Sequence, residues 1–250
     1  LNNRGAIAPG YLGDFVIIDD FNDFNIEMVF KRGELMYDGQ LRDFPTPEID
    51  PYLVKRAHDT FHLTKLTAED FKDGRPHAII GLVPGEIISE DAGYIDHIDV
   101  EYDILKVAVI ERHKNTHHIG LGYIKGYGLK SGAVATSISH DSHNIIVVGT
   151  NEEEMAAAAN RIVENHGGIT VMENGNVLGE VTLAIAGIMS DDPLVMVNSA
   201  LESAKDEAFR LGVSRDIDPF MTLSFMALPV IPTLRITTRG VFDVNTQRYI

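Results

Sequence analysis

The sequence contains no cysteine, which excludes disulfide bonds and thiolate chemistry and fits a reducing compartment such as the cytoplasm. Basic residues are scarce: 21 lysines and arginines stand against 37 aspartates and glutamates, giving a formal net charge of −16. A field of this sign repels phosphate backbones and anionic lipids, so we expect neither nucleic acid nor a membrane as a partner. Long apolar runs are also missing. The most hydrophobic stretch, residues 220–234, contains Pro229 and Pro232 and is too short to cross a bilayer as one helix.

What remains is a composition typical of a globular protein. The 250 residues are 44% hydrophobic, which is enough for a sizeable core in one large domain or two small ones. The chain begins LNNRGAIAPG, without methionine, and enters a predicted strand almost at once. We therefore expect a portion of a longer protein, whose chemistry is shared with preceding residues.

The first part of the chain predicts strands followed by a connector. Residues 13–20 (GDFVIIDD) are typical of a short buried strand, and residues 27–37 of two strands around a turn at Arg32-Gly33. Three strands are too few for a stable domain, so they need a further sheet to join. Residues 43–76 mix prolines with charges, which predicts a connector with one short helix and a domain boundary. Those prolines are Pro45, Pro47, Pro51 and Pro76.

From His77 onward the pattern predicts a mixed α/β (α+β) domain. Thr150 and Glu153 have the spacing of a capping box, which predicts a helix that ends at Gly167-Gly168. Two more helix starts are predicted, at Asp192-Pro193 and at Asp218-Pro219. The predicted strands span residues 77–87, 104–112 and 144–149, a hairpin over 169–181 with its turn at Asn174-Gly175, and a last pair over 234–244.

A polar cluster stands directly before an apolar run in SISHDSHNIIVVG, residues 137–149. His140 and His143 would face opposite ways on a strand but could converge in a turn. Asp141 could orient a histidine ring, and Ser142 could be a nucleophile only if a base touched its hydroxyl. Asp, Ser and Asn are also ordinary turn formers. The residues alone therefore leave a functional site and a structural turn both open.

Three other stretches could bind ligands. His113 and His117 have helical i, i+4 spacing, but the glutamate of a zinc-binding H-E-x-x-H is missing, so we interpret residues 112–118 as a solvated turn. The glycines of residues 120–132 fit no phosphate-binding spacing and are expected to permit tight turns or close backbone approach beside a ligand. The acids of residues 85–103 do not match a calcium-binding loop, and an acidic surface explains them as well.

Five stretches carry a resemblance to a known family. They are GAIAPGYLGDFVIIDD (5–20), KVAVIERH (106–113), the block from IGLGYIK to HDSHNIIVVGT (119–150), GGITVMENGNVLGEVTLAIAGIMS (167–190) and PFMTLSFMALPVIPTLRITTRGVFDV (219–244). Together and in this order they resemble bacterial adenine deaminases, members of the amidohydrolase superfamily. The first is similar to the strand with which many amidohydrolases leave their barrel, and the HDSHN block is the most specific.

The resemblance implies a protein of three parts: a (β/α)8 barrel with a two-metal site, a small β-sandwich, and a C-terminal domain. Residues 1–44 would then be the C-terminal strands of the sandwich, 45–76 a connector, and 77–250 the C-terminal α/β domain. The barrel would lie upstream. No H-x-H motif occurs in the 250 residues, so the principal ligands of the family's manganese or iron are expected in that barrel.

The reaction that the resemblance implies is hydrolysis of adenine to hypoxanthine and ammonia, in adenine catabolism or purine salvage. Metal-activated water would attack C6 of the purine, and a carboxylate or histidine would carry its proton to the leaving amine. The resemblance further implies a cytoplasmic homo-oligomer. We expect this chain alone to be inactive, because the barrel would be missing from it.

The resemblance carries the HDSHN stretch over as a candidate site that closes over the barrel mouth and excludes water. His117 departs from the family pattern, since relatives more often have a small residue there. The alternative is a non-catalytic oligomerisation or regulatory domain of an amidohydrolase that acts on another purine, with HDSHN as a structural turn. The candidates are His140, Asp141 and His143 for catalysis, and Ser142 and Asn144 for substrate binding.

Overall fold

The computed structural model describes residues 2–43 and 47–250, which form two compact units, Leu1–Asp50 and Pro51–Ile250. Pro45, one of the prolines in the predicted connector, lies outside the described residues. The division into parts at residues 44 and 76 stays a prediction. No helix within the described ranges combines the length and the apolarity needed to cross a bilayer.

The first unit contains a three-stranded antiparallel sheet. Its strands are β1 (Phe15–Ile18), β2 (Ile26–Lys31) and β3 (Glu34–Tyr37), paired in that order. The predicted turn at Arg32-Gly33 is confirmed, and both residues have positive φ, at 53° and 83°. The predicted burial of the first strand is wrong: Val16 and Ile17 are 49% and 38% exposed. A sheet of three short strands has too few side chains to bury both of its faces.

The second unit is built on an eight-stranded sheet. The strands are β4 (His77–Leu82), β5 (Ser89–Ile95), β6 (Ile104–Ile110), β7 (Ile119–Lys125), β8 (Ala133–Thr136), β9 (Ile145–Gly149), β10 (Gly168–Glu173) and β11 (Asn176–Thr182). Their order is β11-β10-β8-β9-β6-β7-β4-β5, and every neighbouring pair is antiparallel except β4 with β7. The central strands are buried on both faces, which explains their continuous apolar runs.

Helices and a small second sheet cover the two faces of the large one. Those helices are α2 (Glu152–Glu164), α3 (Leu194–Arg210) and α4 (Pro219–Met226), and the small sheet has strands β12 (Leu234–Thr237), β13 (Gly240–Asp243) and β14 (Arg248–Tyr249). Helix α1 (Pro51–His58) precedes them in the chain and has no buried residue. Met155 and Ile162 of α2 pack in the core on one face. Ala204 of α3, Leu223 of α4 and Ile236 of β12 pack on the other. The fold is mixed α/β, as predicted.

The start of α2 differs from the predicted capping box by one residue. Asn151 is the N-cap, and its side-chain oxygen accepts a hydrogen bond from the backbone N–H of Glu154 at 2.8 Å. The predicted cap, Thr150, instead donates its hydroxyl to the carbonyl of Gly132 at 3.1 Å. Asparagine and threonine both suit an N-cap, so residue type alone did not separate the two positions.

Of the other two predicted helix starts, one is confirmed and one is wrong. Asp218 caps α4 as predicted, because one carboxylate oxygen accepts from the N–H groups of Phe220 (3.0 Å) and Met221 (2.9 Å). The predicted cap of α3 at Asp192 is wrong. Pro193 stands at the N-cap without a side-chain hydrogen bond, and Asp192 accepts from the hydroxyl of Ser190 instead.

The end of strand β4 and the packing of Gly120 can both be compared with the predictions. Strand β4 stops at Leu82, short of the predicted end at residue 87, because Pro84 has no N–H for a sheet hydrogen bond. Gly120 of β7 lies directly under the β12–β13 hairpin, since a Cβ there would stand 1.8 Å from the carbonyl oxygen of Thr237. The close backbone approach expected at the glycines therefore involves the chain's own hairpin at Gly120.

We expect Gly120→Ala to destabilise the second unit by about 3 kcal/mol, because the added methyl must displace backbone atoms rather than a flexible side chain. Gly175→Ala is the control. Its φ is +73° and nothing lies within 4 Å of its Cβ position, so only the backbone strain of about 1 kcal/mol applies. Thermal unfolding followed by circular dichroism measures both. Equal losses would contradict the close packing of the hairpin on β7.

Candidate active-site loop

The polar residues 137–144 connect two buried interior strands of the large sheet, β8 and β9, and we call them the HDSHN loop. Strands β8 and β9 on either side pair antiparallel, so the loop must reverse the chain within eight residues. Ser137 fixes its first end: the hydroxyl donates to the carbonyl of Gly187 at 2.6 Å and accepts from the N–H of Gly168 at 2.7 Å. The sheet thus holds the loop at both ends.

The loop brings its two histidines together. The backbone N–H of His143 donates to the carbonyl of Ser139 at 2.6 Å, which closes a turn. His143 has φ 50°, in the left-handed region, and its ring centroid lies 6.5 Å from that of His140. The stretch is therefore a turn in which the histidines converge, and not the extension of a strand.

His140 is held on three sides. Its ring nitrogen Nδ1 lies 2.7 Å from Oδ1 of Asp141, and its ring stacks on Phe225 of α4 with centroids 5.4 Å apart and planes 16° apart. Its backbone N–H donates to the carbonyl of Ser224 at 3.1 Å. Because an ionised carboxylate only accepts, the hydrogen of the neutral ring lies on Nδ1, and Nε2 is left to accept or pass on a proton.

Ser142 and Asn144 differ in their surroundings. Ser142 is exposed, and its carbonyl lies 2.9 Å from Nε2 of His113. No base contacts its hydroxyl within the described part of the chain, so the geometry gives it no nucleophilic role. Asn144 is only 8% exposed, and its side-chain oxygen has no hydrogen-bond partner among the described residues.

Unpaired polar atoms gather around this loop. Within residues 2–43 and 47–250, several buried side-chain atoms have no hydrogen-bond partner, and four of them belong to the loop or to α4, which the loop contacts. A buried polar atom without a partner costs about 1–3 kcal/mol, so each of these atoms is expected to bond a water molecule or a ligand. The four are Ser139 Oγ, His143 Nδ1, Asn144 Oδ1 and Ser224 Oγ.

Arg112 binds the loop from the interior of the unit. The prediction that residues 112–118 form a solvated turn is wrong for Arg112, which is buried, whereas residues 113–118 are exposed. Its side chain is fully buried and donates to three backbone carbonyls: Nε to His143 at 2.5 Å, one terminal nitrogen to Thr60 at 2.7 Å and the other to Ala186 at 2.9 Å. The guanidinium also lies 4.2 Å from the ring centre of Phe61. Burial lowers the pKa of Arg112 to about 10, so it stays charged at neutral pH. The sequence signal that points to this residue is a positively charged side chain two residues after the apolar strand β6.

His143 is the histidine whose protonation the fold opposes. Burial lowers the pKa of its ring below the usual range, and the positive charge of Arg112 acts in the same direction. His140 and His113 add smaller effects of that sign, while Asp141 acts against them. At neutral pH, His143 therefore presents an uncharged ring.

The described residues do not form a metal centre. Among residues 2–43 and 47–250, no group of three or more histidine, aspartate or glutamate side chains is placed to hold a metal ion. His113 and His117 bind different partners: His113 contacts the carbonyl of Ser142, and His117 Nδ1 lies 3.3 Å from the hydroxyl of Thr64. Where the family's manganese or iron binds stays a prediction.

Comparisons with known proteins agree with one another. The family described as "Adenine deaminase C-terminal domain" matches residues 86–248. The adenine deaminase of Dehalococcoides mccartyi is 40% identical over 260 aligned residues, which cover 100% of this chain and 45% of the relative. Those of Lysinibacillus sphaericus and Bacillus subtilis are 37% and 38% identical, with the same coverage. The chain thus spans less than half the length of these curated relatives.

We expect Arg112→Met to destabilise the second unit by about 2–4 kcal/mol, because three buried carbonyls lose their donor at once. Arg112→Lys should restore little, since one ammonium group cannot reproduce the planar fork. Arg215→Met is the matched control. Arg215 also stacks on a phenylalanine ring, at 4.8 Å from Phe209, but is exposed. Thermal unfolding gives the stability, and hydrogen exchange over residues 137–144 should rise in both Arg112 variants only.

The depressed pKa of His143 predicts a loss of stability in mild acid. The unfolded chain takes up a proton near the ordinary histidine pKa, whereas the folded chain resists it, so stability falls as pH falls below about 6.5. His143→Asn removes the titration and tolerates the positive φ. We expect the melting temperature of this variant to fall less between pH 7.5 and pH 5.5 than that of the unaltered chain. Equal falls would show that His143 does not carry the effect.

Proposed function

Because this chain belongs to the adenine deaminase family, of which it forms a C-terminal portion, we propose that the full-length protein hydrolyses adenine to hypoxanthine and ammonia. We also propose that manganese or iron is bound by an upstream barrel, as the resemblance to amidohydrolases implies. The proposal also covers a cytoplasmic homo-oligomer in adenine catabolism. The lack of cysteine suits that compartment.

The observation that carries a catalytic role for the HDSHN loop is the orientation of His140. Its ring is stacked on Phe225 and bonded to Asp141, which leaves Nε2 as the free end. Hydrolytic deamination requires a proton to move from the attacking water to the leaving amine. In our proposal His140 takes part in that transfer, and Asp141 stabilises the imidazolium that forms. Asp141 is exposed in this chain, so the pair gains strength only when the loop is covered.

His143 and Asn144 have a binding role in the proposal. The neutral ring of His143 and the buried amide of Asn144 each have an unpaired atom, Nδ1 and Oδ1 respectively. Such atoms can bond the nitrogens of a purine without placing a charge against it. Ser142 is exposed and offers a hydroxyl to the same ligand. In this proposal the loop binds the substrate, and the metal is held by the upstream barrel.

A second candidate function is supported by the start of α3. Leu194, Val195 and Met196 are 81%, 79% and 61% exposed, which is typical of a surface that another chain covers. In this alternative the unit serves assembly or regulation in an amidohydrolase that acts on another purine, and the HDSHN loop is a structural turn.

Ammonia release from adenine by the full-length protein, supplied with manganese, tests the proposal. We expect turnover in the unaltered protein and a fall in kcat of about 100-fold or more in His140→Gln, because proton transfer contributes factors of this order. His97→Gln is the matched control. The His97 ring also bonds a neighbouring carboxylate, Asp96 at 2.8 Å, but it follows β5 rather than lying in the loop.

The catalytic function and the assembly function predict different losses in the loop variants. If His140→Gln and His143→Asn keep normal turnover but lose the native oligomer in size-exclusion chromatography, the assembly function is correct and the catalytic one is wrong. The 250-residue chain alone should release no ammonia. Full activity of that chain would show that catalysis does not need the rest of the protein.

A further inference from the structure

A cavity of about 190 Å³ lies between α3, α4 and β10, next to the HDSHN loop. Its walls are mostly apolar and include Ile138 of the loop, Leu201 of α3 and Phe220 of α4. None of its lining residues has a role in the proposed reaction, and most of them belong to the two helices. The cavity has no role in the function proposed above.

One buried polar group lines this cavity without a partner. Ser224 is 1% exposed, and its hydroxyl makes no hydrogen bond within the described part of the chain. A serine in the middle of a helix can bond the carbonyl one turn earlier, which here belongs to Phe220, but this hydroxyl does not. A ligand in the cavity can therefore gain a hydrogen bond that the folded chain leaves unmade.

The remaining polar groups indicate a neutral ligand. Lys205 and Asp218 also line the cavity and form an ion pair at 3.0 Å. Asp218 uses its other oxygen to cap α4, so its charge is satisfied by the protein. The ammonium of Lys205 also lies 3.8 Å from Glu202, so two carboxylates balance its charge, and its third N–H can bond a neutral acceptor. A charged ligand would lose hydration against the apolar walls without an opposite charge to meet it.

The size of the cavity further limits the class of ligand that it can bind. An apolar cavity of about 150 Å³ in another protein holds benzene, so 190 Å³ suits a somewhat larger ring system. The ring of Phe220 and the thioether of Met221 both favour contact with an aromatic ligand. We propose that this cavity binds a neutral aromatic heterocycle of the size of a free nucleobase, hydrogen-bonded to Ser224 and Lys205.

Ligand binding in the cavity would change how firmly His140 is held. The carbonyl of Ser224 accepts the backbone N–H of His140 at 3.1 Å, and the next residue, Phe225, carries the stacked imidazole. A ligand that holds Ser224 therefore restrains the support of the histidine ring. This link to turnover rests on the proposed function, whereas the binding site itself does not.

Equilibrium dialysis of the full-length protein with radiolabelled hypoxanthine at pH 7 tests the site. We expect two classes of saturable sites, the active site that releases hypoxanthine as product and the cavity. The affinity of one class should fall at least tenfold in Ser224→Ala, which removes the hydroxyl and adds no volume. Leu201→Phe, which fills the cavity, should abolish that class. Ser203→Ala is the control, because Ser203 is an exposed serine of the same helix as Leu201. It should bind like the unaltered protein.

Several results would overturn the site: no saturable binding, or identical binding curves in Ser224→Ala, Leu201→Phe and the unaltered protein. If Leu201→Phe fails to fold, as its melting curve would show, Ser224→Ala remains decisive. Failure of the proposed function looks different. In that case no ammonia is released from adenine, yet the Ser224-dependent binding of hypoxanthine persists. Conversely, ammonia release with no Ser224-dependent binding would retain the deaminase and reject the cavity site.

Discussion

The arrangement of the segments around the HDSHN loop depends on the buried guanidinium of Arg112. A buried cation is costly unless its N–H groups are bonded, and this one bonds three carbonyls from three separate segments. The segment around Thr60, the HDSHN loop and the turn at Ala186 must therefore reach their places together. Gly187 belongs to the same constraint, because a Cβ there would stand 2.7 Å from a terminal nitrogen of Arg112. The position of His143 is set by this cation as much as by its own strand.

The opposite side of the loop depends on α4. Asp218 starts this helix, and two turns later Ser224 and Phe225 meet His140 through a backbone hydrogen bond and a stacked ring. The loop thus lies between a cation that fixes His143 and a helix that fixes His140. Both contacts are made by parts of the chain distant in sequence. The antiparallel pairing of β8 with β9 places the loop at the end of these strands, where Arg112 and α4 both contact it.

Much of the fold follows from local patterns that can be read in the sequence. The hairpin at Asn174-Gly175 and the start of α4 at Asp218 are set by residues next to them. Within the loop, the convergence of the histidines and the pairing of Asp141 with His140 were also predictable, because the turn formers and the carboxylate are adjacent. Their part in catalysis stays a prediction. Arg112 was not predictable, since its acceptors are main-chain carbonyls, which any residue type supplies. The cavity beside Ser224 was hidden for a related reason: its walls come from distant segments, and each wall residue alone is typical of an ordinary core.

The order of strands in the large sheet has a consequence for how copies of this chain can associate. Strand β5 is an edge strand, and its exposed outer positions include the carboxylates of Glu90 and Asp91. A second β5 laid alongside would bring like charges close together, which opposes growth of the sheet from chain to chain. The strand also contains Gly93, a poor residue for a continuous ladder. Edge-to-edge pairing of two copies is therefore disfavoured at β5.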